Sequence, residues 1–566
     1  MRCAQQFTSR CSPFRYQLLY LILFSTLQGC AIQPSPLSLE EHRLRVQEDR
    51  QALYANQDAL SGPLSLELAI ARALKYNYDH RLALMETAFH DQQLTAATYA
   101  MLPRLAANAG YTYRDNESAS SSISYRTRRE TLEPSISSEK ERRTGDLTLT
   151  WTVLDFGISY FQARQQADRL LIMLERKRRV VNNIVKEVIG AYWKALTAQH
   201  LLPLLEKTLQ DAQIALDSYE AIQKNRLSPP LETLEQHRDL LSIVSQLRRI
   251  QADMAMSRAK FAALINVPMS MSFEIAQPDA HLFTPPPLKA SLEELENKGL
   301  FLRPDLREEA YQERIDKAEV YKEIIRMLPG ATLFAGLNYD SNRYLVHSNW
   351  SELGARATMN LFNLITGPMQ IRAADTKVDV TRTRRLAQTV AALVQIHLSY
   401  YQYIQAMEDY SYSKKINAIE EQMLSIAKSE RDLAAQSKLG LIRRSVSAVR
   451  ARIEQGRALS DIYLFWGNVY FSIGGDLVPP DAADGNLSTM AAAIRARMEL
   501  WWRGVLPFET EPPQPGQQQQ PGAPQPAKEQ PGAPQVAQQQ PAPALAGEPA
   551  KDSAPKKKKA RRPKRT

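Results

Sequence analysis

The sequence spends little on glycine and almost nothing on cysteine, and each scarcity excludes a class of protein. Only 22 of the 566 residues are glycine, whereas α/β enzymes use glycine for tight turns and phosphate-cradling loops. Long helices need little of it. The three cysteines are Cys3, Cys11 and Cys30, so no disulfide and no thiolate metal site can form beyond position 30. The eight histidines are scattered, without His-Glu-x-x-His or another ligand spacing, and no G-x-S-x-G or Walker sequence occurs. Asp155-Phe156-Gly157 and His237-Arg238-Asp239-Leu240 resemble kinase triplets. They stand in reversed order, Val244 occupies the place of the metal-binding Asn, and no glycine-rich loop precedes them. On a strand end and a helix respectively, they read as coincidence. Glu232 and Glu235 lie three apart on a helix, a spacing that usually marks a solvated face. The expectation is no enzyme, no cofactor and no metal.

A basic body is missing as well. The net charge of +10 is concentrated at the ends. Nine lysines and arginines in residues 551–566 outweigh Asp552 by eight charges, and Arg2, Arg10 and Arg15 add three, which leaves −1 between them. That balance argues against a nucleic-acid-binding body. The apolar run Leu18–Phe24 is too short to span a bilayer as a helix and follows Arg10 and Arg15, so residues 1–29 read as a signal peptide. Leu27-Gln28-Gly29-Cys30 resembles a bacterial lipobox, in which Cys30 is acylated and becomes the first mature residue; each buried methylene adds ~0.8 kcal/mol to anchoring. Ala31, rather than Asp, favours the outer membrane by resemblance to lipoprotein sorting rules. An ordinary signal peptide with an incidental cysteine is the alternative.

What is present is a duplication. Met101-Leu102-Pro103 recurs as Met327-Leu328-Pro329, and Asp79 matches Asp305 at the same offset. Tyr192-Trp193 matches Tyr400-Tyr401 at a shorter one. The Ser- and Arg-rich loop 115–143 is longer than its counterpart 341–351, and the difference in their lengths equals the lost offset. Each unit reads helix, strand, loop, strand, very long helix, turn, helix. The predicted organisation is residues 30–64 as an anchor segment, 65–290 and 291–475 as the two repeats, and 476–508 as a C-terminal extension. Residues 509–566 form a Pro/Gln-rich tail with a basic end, expected to be disordered and solvated.

The strands alternate with period two. Leu105, Ala107, Ala109, Tyr111 and Tyr113 share a face, as do Leu147, Leu149, Trp151 and Val153. So do Leu333, Ala335, Leu337 and Tyr339, and then Leu353, Ala355, Ala357, Met359 and Leu361. The opposite faces carry Asn108, Asp146, Thr148, Thr150, Asn338, Arg356 and Thr358. Roughly ten-residue strands with one apolar and one polar face fit a membrane barrel with a wet lumen, and alternation alone also fits a half-buried soluble sheet. Four strands cannot close a barrel, for which about eight is the minimum. Open edges are not tolerated in lipid. If these strands enter a bilayer, several chains must share one barrel.

The helical pattern from Ile158 to about Gln223 implies a length on the order of 100 Å, with a kink or break expected at Pro203. The second copy carries the stripe Leu386, Val390, Leu393, Ile396, Tyr400, Tyr403, Met407, spaced for coiled-coil packing. Ser228-Pro229-Pro230 and Gly440, within Lys438-Leu439-Gly440-Leu441, are the expected reversal points.

These features together resemble the TolC-type outer-membrane efflux lipoproteins over about residues 65–475. They are the lipobox, the duplicated order, Leu-Pro before each first strand, Arg303-Pro304-Asp305-Leu306, Tyr111-Thr112-Tyr113 and the closing Gly474-Gly475. The resemblance implies a mainly α fold with membrane β-strands. It implies a homotrimer whose twelve strands form a shared barrel and whose twelve helices continue it as a periplasmic coiled-coil α-barrel. A periplasmic adaptor protein and an inner-membrane pump dock at the tip in that family. The implied function is the outer-membrane channel of a tripartite efflux or secretion system exporting small molecules such as drugs. Type I protein secretion, or a lipid-anchored periplasmic scaffold without a pore, are the alternatives. Asn225 stands where the family usually has Gly at the first tip. Where gating carboxylates would follow Gly440, this chain has Arg443, Arg444 and Arg450. Cross-helix pairing of Arg443 and Arg444 with Glu232 and Glu235 is the expected gate; solvated or adaptor-docking groups are the plain alternative.

Overall fold

The computed structural model describes residues 34–60, 62–130, 133–224, 230–269, 271–278, 284–432, 438–478 and 486–503. Cys30 with its signal peptide, the first turn around Asn225, and the tail 509–566 lie outside the described residues.

Helix α1 (Leu39–Leu53) precedes the first repeat, and its last carbonyls accept from Tyr78 and Asn266. That repeat runs α2 (Leu66–Tyr76), α3 (Tyr78–Tyr99), β1 (Arg104–Tyr113), the short hairpin β2 (Ser118–Ser120) and β3 (Ser135–Ser138), and β4 (Glu141–Thr152). It continues with α4 (Val153–Lys224) and α5 (Pro230–Leu264). The second repeat runs α6 (Leu292–Leu302), α7 (Pro304–Arg326), β5 (Gly330–Asp340), β6 (Asn349–Thr358), α8 (Asn363–Asp432) and α9 (Lys438–Ser472), and α10 (Leu487–Trp502) follows. The elements keep the offsets of the sequence. The starts of α6, α7 and β5 follow those of α2, α3 and β1 at the longer offset, and the start of α9 follows that of α5 at the shorter one. Caps repeat too. Ser65 accepts from the Leu68 amide and Ser291 from the Glu294 amide, each satisfying an otherwise orphaned donor in a first helical turn.

The 72 residues of α4 and 70 of α8 correspond to about 110 and 105 Å at the α-helical rise. Of the expected kink or break at Pro203, the break does not occur, since the residue lies inside α4 without ending it. Leu205, Ala212 and Leu216 are buried just beyond it against Leu240, Val244 and Ile442, and that packing offsets the lost hydrogen bond. Gly440 is corrected as a reversal point: α9 already begins at Lys438, so Gly440 occupies its first turn. Asp155-Phe156-Gly157 lies in the first turns of α4 rather than on a strand end.

The widest core binds the two repeats near mid-helix. Trp193 of α4 stacks on Tyr463 of α9 at 4.2 Å and 5°, and Trp466 and Tyr470 meet Trp501 of α10. The Arg303-Pro304-Asp305-Leu306 segment fastens the second repeat to this core. The Arg303 guanidinium donates to Asp305 at 2.9 and 2.7 Å, to the Ser472 carbonyl at 3.0 Å and to Gln395 at 2.8 Å. Burial works against the Asp305 charge, but the Arg303 fork and the Gln388 amide outweigh it and hold the carboxyl below its ordinary range. Gly474 closes the segment at φ +78°, where a Cβ would lie 2.6 Å from the Leu302 carbonyl carbon. Only glycine suits that place.

Candidate functional site

The strands form one antiparallel sheet in the order β1-β4-β5-β6. Its register puts like with like. Leu105, Leu149, Ala335 and Leu353 lie in one row across all four strands, and Trp151, Leu333 and Ala355 in another. Rows of the opposite parity join Asn108, Asp146, Asn338 and Trp350, and Thr152, Thr332 and Arg356. A one-residue slip would invert every face, so the alternation and the pairing specify each other. Three expected members leave the apolar face: Val153 already starts α4, and Met359 and Leu361 lie beyond β6. Two aromatics, Phe334 and Trp350, sit on the polar face; Phe334 covers Gly354, where a Cβ would collide with its ring.

The apolar face is exposed in the single chain, with Leu105 63% and Leu353 86% accessible. Tyr111, Tyr113 and Tyr339 mark one end and Trp151 with its edge-on neighbour Phe156 the other. From the Trp151 row to the Tyr339 row is about 20 Å of strand, close to the ~25 Å apolar band, bounded by aromatic girdles, of outer-membrane barrels. On the polar face Asn108 donates to Asp146 at 2.8 Å and Thr148 to the same oxygen at 3.1 Å. Arg142 forks onto Asp340, which also accepts from the Asn342 amide at 3.0 Å. Within the chain, β1 and β6 are the sheet's two outer strands.

At the far end of the long helices Arg443 reaches Asp239 of α5 at 2.5 Å. It does not pair with Glu235, which is exposed, and the side chain of Glu232 lies outside the described residues. Among the described residues it is Asp239, one helical turn beyond Glu235, that faces α9. Arg444 instead approaches the Met423 sulfur of α8 at 4.0 Å. Arg452 joins Glu421 across the α8–α9 hairpin at 2.6 Å, and His237 lies 3.6 Å from Glu220 across α4–α5. Sequence reasoning set Asp239 aside with the kinase-like triplet, and its only signal was a carboxylate between two and three turns into the helix that follows the first tip. Among the described residues no cluster of His, Cys, Asp or Glu could hold a metal ion, and no helix is long and apolar enough to cross a membrane.

No family model and no curated protein matches the sequence. Solved structures do match the fold. The Campylobacter jejuni outer-membrane channel CmeC aligns with a TM-score of 0.57 at 12% identity, covering 84% of this chain and 97% of that one. The Vibrio cholerae outer-membrane protein VceC gives 0.55 at 14%, over 72% and 96%. The open-state outer-membrane channel MtrE of Neisseria gonorrhoeae gives 0.53 at 15%, over 74% and 94%. The chain has the fold of these channels, long helix hairpins joined to a membrane-type sheet.

Proposed function

We propose that the protein is the outer-membrane channel of a tripartite export system, a passive conduit and not an enzyme. Three copies would join their sheets into one closed barrel and continue it into the periplasm as a helical tunnel, with residues 65–290 and 291–475 as the two halves of each copy's contribution. The observation that carries this reading is the four-stranded sheet itself, apolar on one face, polar on the other and unclosed. Lipid does not tolerate free strand edges, and four strands are too few to close. Three copies supply twelve.

The likeness to outer-membrane channels supports the location, and small molecules such as drugs are the cargo this reading favours. A periplasmic adaptor and an inner-membrane pump would dock at the helix turns, where Arg444, Glu232 and Glu235 stand near the reversal. Arg443–Asp239 is the proposed closing contact, repeated in each copy. Cys30 would carry lipid and fix the mature N-terminus to the membrane; the mass of that N-terminus reads this, and an unmodified end at another residue contradicts it. Single-channel recording of the purified full chain in planar bilayers tests the conduit. Discrete, uniform conductance steps are expected. A lipid-anchored scaffold would bind the bilayer and give none.

A further inference from the structure

The loop between β1 and β4 carries cations that its own surroundings do not balance. From Ser118 to Arg129 the chain has three arginines, Arg126, Arg128 and Arg129, and no acid. A bridge between Ile123 and Glu130 brings the segment into a tight turn. The Arg128 amide donates to the Ser124 carbonyl at 2.8 Å and the Ser124 amide to the Arg129 carbonyl at 2.9 Å. Arg128 stands at φ +56°, a left-handed conformation that side chains such as arginine adopt at a cost. Its guanidinium lies 5.6 Å from the ring centroid of Tyr125, which is 89% accessible. All three arginines are exposed. Neighbouring cations have partners: Arg142 on Asp340, Arg343 with Glu139 at 3.1 Å and Lys140 with Glu117 at 3.8 Å. Among the described residues Arg126, Arg128 and Arg129 pair with no carboxylate. We propose that this turn binds the phosphate groups of a phosphorylated glycolipid in the outer leaflet of the membrane around the barrel. The inference deepens the outer-membrane reading and rests on it.

Place, support and chemistry select this occupant. The hairpin is inserted between Tyr113 and Glu141, at the tyrosine end of the sheet, whereas α4 and α8 leave from the other end. With the helices in the periplasm, the arginines stand on the outer-leaflet side. The turn is also braced. Asn342, buried in the β5–β6 loop, donates to the Ser137 carbonyl of β3 at 2.9 Å and accepts from the Glu139 amide at 3.4 Å. A hairpin held in this way loses less freedom when it binds. Arg143 marks the level at which headgroups begin. It lies opposite Tyr111 in register, on the apolar face and exposed, with Glu141 the next residue along that face. An arginine there keeps its stem on apolar surface and extends its charge toward headgroups. The chemistry matches as well. A guanidinium fork meets phosphate through two parallel hydrogen bonds, and three forks within four residues suit a headgroup with more than one phosphate. Exposed Tyr125, apolar in body and polar at its tip, suits the boundary between membrane and water.

Titration of the detergent-solubilised full chain with diphosphoryl lipid A, read by microscale thermophoresis at low ionic strength, tests the site. Arg126→Gln, Arg128→Asn and Arg129→Gln together remove the charge, with asparagine chosen because it tolerates the left-handed turn. This variant is expected to bind on the order of a hundredfold more weakly, the combined effect of three surface arginines on an anionic lipid. Lysine at the same three positions keeps the charge and should lose far less. Dephosphorylated lipid A should bind the unsubstituted chain as weakly as diphosphoryl lipid A binds the neutral variant. Unchanged affinity in the neutral variant would overturn the site, as would equal binding of the dephosphorylated lipid. An equal loss in the lysine variant would overturn recognition by charge. Displacement of the lipid by millimolar inorganic phosphate would make the turn a site for a free anion and overturn the glycolipid. The channel reading fails separately. A chain that gives no conductance steps in planar bilayers, yet binds lipid A through these arginines, overturns the conduit and leaves the glycolipid site standing.

Discussion

Arg443 and Asp239 show how little energy one contact needs if the assembly repeats it. Their side chains are 48% and 38% exposed, and such a pair stabilises by only about 0–1 kcal/mol. Three symmetric copies would apply that bias together, and a closed state needs a few kcal/mol to dominate. Arg443→Asp is therefore expected to leave folding intact and to raise the resting conductance several-fold. Adding Asp239→Arg restores the opposite signs and should lower it again. An unchanged conductance in Arg443→Asp, or no recovery in the double variant, would assign closure to other residues. The recording is made without an adaptor, because docking at the same turns could open the pore by itself. The sequence showed that arginines follow the second turn and carboxylates the first. It did not show which carboxylate: Glu232, Glu235 and Asp239 share a helix within two turns, and only the packing of α5 against α9 selects Asp239.

At the scale of elements, the strands and long helices were legible because each has a single strong period. The alternation in β1, β4, β5 and β6 predicted the faces, and the register joins them row by row. Element ends were less legible. Val153 continues the alternation in sequence, yet α4 has begun there; the short hairpin β2–β3 lies within a loop whose polar composition carries no period. Pro203 reads as a breaker, while the buried neighbours that keep α4 continuous come from distant segments. The face assignment has a direct consequence. Leu149→Arg places a charge on the apolar face, which the proposed barrel turns toward lipid, and should cost ~2–4 kcal/mol near the midplane, read as loss of heat-stable, membrane-inserted protein. Thr150→Arg, one residue on, points to the other face and should insert normally. Equal disruption by both, or by neither, would contradict the assignment.

For the whole molecule, the duplication explains why one chain contributes four strands and two helix hairpins. On the proposed function, the unclosed four-stranded sheet is the reason one chain would not be enough. The number of copies is the part least legible in a single sequence, since closure demands more strands without counting chains; the proposed count comes with the resemblance alone. What the chain itself specifies is which side of the sheet is polar. Thiol block of the current in planar bilayers reads that side most directly. Thr150→Cys and Leu149→Cys are each recorded before and after a charged, membrane-impermeant methanethiosulfonate reagent, with the unsubstituted channel as the control. A pore lined by the polar face predicts a stepwise fall in current for Thr150→Cys and none for Leu149→Cys. Block at Leu149→Cys alone, or conducting channels blocked in neither variant, would contradict a lumen built from that face.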